Sequence, residues 1–158
     1  MAIQCDWLVL CQRVVEDSVT KNLSLLNCLE SVTVHDFPCY FPGFAFAANF
    51  SRTTPSPADV GSWEFRLTRA SKTAPERVVV TASAECKPNT ERLRVFINFA
   101  VLALQEPGPL FFRIDWRKVG RNKWHQGQQV SLNVDHTKLS TEEQNSLREL
   151  NINYVPDV

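Results

Sequence analysis

Side chains able to act as nucleophiles or metal ligands are spread thinly along this chain. There are five cysteines (Cys5, Cys11, Cys28, Cys39 and Cys86) and three histidines (His35, His125 and His136). A catalytic thiol needs a histidine or another cation beside it, and the three histidines fall in separate segments. Cys5 and Cys11 are expected on one face of an extended strand, about 20 Å apart at roughly 3.3 Å per residue, too far to share a metal ion. Asp135 precedes His136, but neighbours on a strand point to opposite faces. No Cys-x-x-Cys or His-x-x-x-His spacing, dense carboxylate cluster, phosphate-binding motif or nucleophile elbow occurs, and five glycines leave little for a phosphate-cradling loop. The sequence therefore predicts no metal, no cofactor and no catalytic residue. An odd number of cysteines without paired spacing reads as reduced, mostly buried thiols.

Two features depart from that plain background. Asp6 sits between Cys5 and Trp7 in an apolar stretch, so its carboxylate must be hydrogen-bonded, ion-paired or at a sheet rim. The second is a basic, aromatic hairpin. Residues 61–125 hold twelve of the 17 Lys and Arg but only six of the 17 Asp and Glu, although the whole chain is neutral. Within that segment Arg113, Arg117, Lys118, Arg121 and Lys123 cluster with Trp116 and Trp124. Alternation puts Arg113, Asp115 and Arg117 on the outward face and Trp116 in the core. Arg113, Arg117, Lys118, Arg121, Lys123 and Trp124 are thus the predicted binding residues. Lysine and arginine on an exposed edge also guard against edge-to-edge aggregation, which is the plainer explanation of the same cluster.

These residues need a frame, and the hydrophobic periodicity supplies one. Ile3 to Cys11 is apolar on both parities, as an interior strand is. Strands are expected at Lys21–Leu29 and Ser31–His35, then breaks at Phe37-Pro38 and Phe41-Pro42-Gly43. Phe44, Phe46, Ala48 and Phe50 alternate with small or polar residues. Residues 51–61 read as the longest loop. Trp63, Phe65 and Leu67 then alternate with Glu64, Arg66 and Thr68. Val78 to Ala84, Leu93 to Leu104, Leu110 to Trp116 and Val130 to Val134 complete the series. Gln105-Glu106-Pro107-Gly108-Pro109 reads as a hairpin turn. Ser140 and Glu143 form a capping box ahead of Leu147 and Leu150, predicting a short C-terminal helix and then an extended tail.

Eight or nine short strands joined by Pro- and Gly-containing turns predict an all-β fold, an antiparallel β-sandwich of immunoglobulin-like or jelly-roll-like type. A closed barrel is the alternative. Residues 1–136 are expected to form the sandwich and 137–158 the helix and tail. The first residues lack a basic, apolar leader pattern, so a cytoplasmic chain is expected. No apolar run is long enough for a transmembrane helix.

The opening Cys5-Asp6-Trp7-Leu8-Val9, followed by Lys21-Asn22-Leu23-Ser24-Leu25 and by Phe37-Pro38, resembles a bacterial family of small β-sandwich proteins that has no assigned activity. Glu106-Pro107-Gly108 to Arg113 resembles that family's penultimate strand. Asn27 stands where the family has glycine. The resemblance implies the sandwich fold and no chemistry. The function expected is a non-catalytic binding or adaptor module that meets a protein or peptide partner through its loops and basic hairpin. Zero net charge speaks against nucleic acid as the main partner. A self-assembling structural subunit, or an enzyme with an unrecognised site near Asp6 or a cysteine, remains the alternative.

Overall fold

The computed structural model describes residues 3–53, 56–138 and 140. Among them are nine strands: β1 (Ile3–Glu16), β2 (Leu23–Cys28), β3 (Ser31–Val34), β4 (Cys39–Arg52), β5 (Gly61–Ser71), β6 (Arg77–Cys86), β7 (Arg92–Leu104), β8 (Gly108–Lys118) and β9 (His125–His136). They form a four-stranded sheet ordered β2-β1-β4-β7 and a five-stranded sheet ordered β3-β9-β8-β5-β6. Every pairing is antiparallel except β3 with β9. The order β1-β4-β7 facing β9-β8-β5 reproduces the A-B-E and G-F-C strands of the immunoglobulin sandwich, which decides against the jelly roll and the closed barrel.

Aromatic side chains hold the two sheets together. Phe46 and Phe50 on β4 are fully buried. Phe46 packs on Phe112 of β8 with ring centroids 4.8 Å apart, and Phe50 packs on Phe65 of β5 at 4.8 Å and on Trp116 of β8 at 5.2 Å. Burying one such ring stabilises the fold by about 1.5–3 kcal/mol. At one end of the sandwich Arg52 acts as a clamp. Its Nη1 donates to the carbonyls of Lys87, Pro88 and Thr90 and its Nη2 to that of Ser56, tying the β6–β7 turn to the segment ahead of β5.

Four expectations change. Cys5 and Cys11 do not share a face. A bulge between Cys5 and Trp7 reverses the alternation, so Ile3, Cys5, Leu8 and Leu10 join the core cluster and Cys11 does not. The chain is not broken at Phe41-Pro42-Gly43, because β4 runs through Pro42. Proline is tolerated there because β1 pairs with β4 only from Ala45 onward, leaving Pro42 a single neighbour, Val101 of β7. Residues 105–109 are not a hairpin. They carry the chain from β7 in one sheet to β8 in the other, a step of about 10 Å between stacked sheets. Proline and glycine mark a turn without saying which strands it joins. The long loop after Ser51 is shortened, since β4 continues to Arg52 and a turn of 3-10 helix covers Pro57–Asp59. The helix expected from Ser140, Glu143, Leu147 and Leu150, and the tail after it, lie outside the described residues apart from Ser140.

Candidate functional site

β8 and β9 do form the expected hairpin, and its outer face carries the basic cluster. The β5–β8 register sets Arg66 directly opposite Asp115 and Glu64 directly opposite Arg117. On the inner side Leu110, Phe112, Ile114 and Trp116 are buried, as their alternation predicts. Facing the other way are Arg113, Asp115 and Arg117. β9 lies close over β8 at Gly127, where a Cβ would come within 2.2 Å of the Ile114 carbonyl oxygen and 2.7 Å of the Trp116 ring. Only glycine fits that approach, which coincides with the register shift between Arg113 and Asp115.

Asp115 is on the outward face yet has no exposure at all. Two guanidiniums roof it. Arg66 donates Nε to Oδ2 at 3.0 Å, and Arg113 donates Nε to Oδ1 at 2.8 Å. Arg113 also reaches Glu76 at 2.8 Å. Its hydrogen bond to Asp115, outweighing desolvation, holds the Arg113 pKa above the ordinary value. Arg117 pairs with Glu64 at 2.6 Å. The guanidinium carbons of Arg66 and Arg117 then lie 4.4 and 4.5 Å from the Trp124 ring centroid. A continuous row results across the sheet, running Glu76, Arg113, Asp115, Arg66, Trp124, Arg117, Glu64.

The six predicted residues therefore divide. Arg113, Arg117 and Trp124 are built into this row. Lys118 donates Nζ to the Ala58 carbonyl. Arg121 and Lys123 stand exposed on the β8–β9 turn with no side-chain hydrogen bond or ion pair among the described residues. Arg66, Glu64, Glu76 and Asp115 belong to the row and were missing from the predicted set. The clear alternation around Phe65 had marked Glu64 and Arg66 as outward, but only strand pairing reveals what they meet. Arginine over an indole face is a favourable arrangement of about 0.5–2 kcal/mol. Both guanidiniums are also held by carboxylates, so the indole is braced in the same turn that carries Arg121 and Lys123.

The other candidates are satisfied locally. Asp6, at the β1 bulge, accepts from Asn49 Nδ2 at 2.6 Å and from Ser51 Oγ at 2.7 Å, which meets the requirement set by its apolar surroundings. Cys5, Cys11 and Cys86 are buried, Cys39 is intermediate and Cys28 is exposed. Burial pushes the thiols of Cys5, Cys11 and Cys39 up, away from the reactive thiolate. His35 Nδ1 lies 2.8 Å from the Thr137 carbonyl, and His136 Nε2 lies 3.0 Å from that of His35. Among the described residues no three His, Cys, Asp or Glu side chains are grouped to hold a metal ion, and no helix is long and apolar enough to cross a membrane.

No sequence family and no curated protein matches the chain. Among solved structures it is similar to an immunoglobulin-like protein from Pseudomonas aeruginosa, with 11% identity over 85% of this chain and 97% of that one and a TM-score of 0.36. The immunoglobulin-like order assigned to this chain rests on its own strand pairing, and the small sandwich implied by the opening strands is present.

Proposed function

We propose that this chain is a non-catalytic binding module that meets a protein or peptide partner through the β8–β9 turn and the arginine–tryptophan row behind it. The observation that supports this reading most is the placement of Trp124 between Arg66 and Arg117. An aromatic ring held against two ion-paired guanidiniums loses little entropy on binding, and tryptophan and arginine are the side chains that most often anchor protein interfaces. Arg121 and Lys123 add charge that has nothing to neutralise it within the turn, suiting an acidic patch on the partner.

The test is affinity capture from native cells, with and without nuclease, using the full chain beside an Arg121→Glu, Lys123→Glu variant. The expected result is one stoichiometric protein that survives nuclease, weakens as salt rises and is lost from the variant. A partner retained by the variant, or binding indifferent to salt, counts against the turn. Loss of all bound material on nuclease treatment would make the site one for nucleic acid instead.

A further inference from the structure

Among the described residues the two sheets are not joined along one side. β6 ends the five-stranded sheet and β7 ends the four-stranded one. Between them lies a cleft of about 300 Å³ whose walls include Phe99, Phe112, Val79 and Val101. A second cleft of about 430 Å³ adjoins it at the β7–β8 crossover, and Arg69 and Arg77 line both. These two arginines are directly opposite each other in the β5–β6 ladder. They are on the inner side of the sheet, since Arg69 pairs across β5–β8 with the fully buried Phe112.

Like charges facing each other across a ladder repel. Arg69 reaches across to the opposite sheet and donates Nη1 to the Ala103 carbonyl at 3.0 Å. Burial, and then the charge of Arg77, push its guanidinium pKa down, with Glu106 acting the other way. Glu106 is itself engaged by the hydroxyls of Ser71 and Thr73. Arg77 has no side-chain hydrogen bond or ion pair among the described residues. The cleft thus holds two adjacent cations and too little negative charge to match them.

Its rim is β7, whose backbone has no ladder partner among the described residues on the side away from β4. From Val95 to Leu104 this edge carries neither a charge nor a proline. Phe96 and Val101 are 42% and 48% exposed. Edges usually carry charges, prolines or bulges that deter pairing, so this stretch is open to another strand.

We propose that the β6–β7 cleft receives an extended, acidic peptide segment of a partner protein, which adds a strand to β7 and seats a carboxylate between Arg69 and Arg77. Strand addition supplies affinity through the backbone, and side-chain pockets supply selectivity. A strand laid on β7 passes the Ala103 carbonyl that Arg69 holds, bringing alternate side chains to the paired guanidiniums. A second copy of this chain fits less well. Antiparallel pairing of two β7 strands about Asn98 would set the incoming Arg94 opposite Leu102 and the incoming Arg92 opposite Leu104. Both would then lie beside Arg69 and add to the unmatched positive charge. This surface is separate from the β8–β9 turn, and the proposal does not depend on it.

The probe is a short fluorescent peptide alternating valine with glutamate, blocked at both ends, titrated with the full chain and followed by anisotropy. A valine–lysine peptide is the charge control. The glutamate peptide is expected to bind and the lysine peptide not to. Arg77→Gln removes a side chain with no internal partner to lose and should weaken binding by about tenfold or more, the value of one charge-assisted hydrogen bond. Amides of Val95–Leu104 should gain protection from hydrogen exchange. The Arg121→Glu, Lys123→Glu variant should bind the peptide normally, so failure here and failure of the turn are distinguishable. No binding of the glutamate peptide, equal binding of the lysine peptide, indifference to Arg77→Gln, or protection away from β7 overturns the proposal. So does a dimer whose β7 amides are protected without peptide, because the edge then belongs to a second copy.

Discussion

Replacing Asp115 with asparagine keeps the side chain's volume and removes the one negative charge between Arg66 and Arg113. The carboxylate takes Arg66 Nε and Nη2 at 3.0 Å each, and Arg113 Nε at 2.8 Å and Nη2 at 3.3 Å. An amide offers one oxygen and one N–H donor group, so one of these guanidiniums must then face another donor. Breaking a buried ion pair costs about 3–5 kcal/mol. The side chains of Arg66 and Arg113 keep 27% and 20% exposure, so water takes up part of what they lose, and the lower bound of about 3 kcal/mol applies. At about 2–4 °C per kcal/mol for a domain of this size, Asp115→Asn should lower Tm by about 6–12 °C. Glu76→Gln is the matched control. It touches the same Arg113 at 2.8 Å, but its side chain is 41% exposed, and its loss should cost less than about 1 kcal/mol. Urea and thermal unfolding of both variants measure the difference. Trp124 offers a second readout, because Arg66 freed from Asp115 is no longer held over its ring, and the indole N–H resonance should shift. If Asp115→Asn costs no more than Glu76→Gln, the buried carboxylate is not what ties β5 to β8 across this face.

Two further outcomes follow from the β1–β2 hairpin. Cys11 and Cys28 are directly opposed, and the Leu29 amide donates to the Leu10 carbonyl at 2.8 Å. The cysteines therefore form the non-hydrogen-bonded type of pair, with Cα atoms about 4.5 Å apart, within disulfide reach. A small oxidised disulfide should take the two thiol hydrogens and leave as two thiols, joining the sulfurs and raising stability by about 3 kcal/mol through loop closure. Thiol counting and intact mass check this, and a stable mixed disulfide on exposed Cys28 alone would contradict it. In the turn, Asp17 accepts from the amides of Thr20 at 2.6 Å and Val19 at 2.8 Å. The Thr20 bonds, with that of Val19, hold its carboxyl pKa below the ordinary aspartate value. Its support of the turn should be complete above that ordinary value and lost as pH falls through the lowered one. A carboxyl NMR titration reads the midpoint, and Asp17→Asn should abolish the pH dependence of the neighbouring amides.

Much of the frame was legible from period-two alternation, because inward residues such as Trp63, Phe65, Leu67, Phe112 and Ile114 need no knowledge of partners to be recognised. What failed was anything set by pairing. Asp115 reads as an outward, hydrated carboxylate until β5 brings Arg66 against it from 49 residues away. The single extra residue at the β1 bulge reverses every later side chain in that strand, and no periodicity announces it, so Cys11 lies on the face opposite the one its alternation with Cys5 predicts, across from Cys28. Arg69 and Arg77 lie in strands read only for their apolar positions, and their opposition exists only in the β5–β6 register. Of the predicted binding residues, sequence separated none of those that brace the sheet from those left free, since that division depends on Glu64, Glu76 and Asp115.

The parallel pairing of β3 with β9 bears on how the molecule can be assembled during synthesis. β3 spans Ser31–Val34, and its one ladder partner among the described residues is β9, His125–His136. β9 also covers β8, which otherwise shows a bare edge. As the chain leaves the ribosome, β1, β2, β4 and β7 can complete one sheet, while β3 waits alone until residue 136 has emerged. The second sheet is then closed by threading its final strand between two elements made long before and just before it. A nascent chain stalled ahead of His125 would hold one finished sheet over an unfinished one, with the β9 side of β8 and Val32 of β3 left without their ladder partners. Such a species is the form that chaperones and proteases would meet.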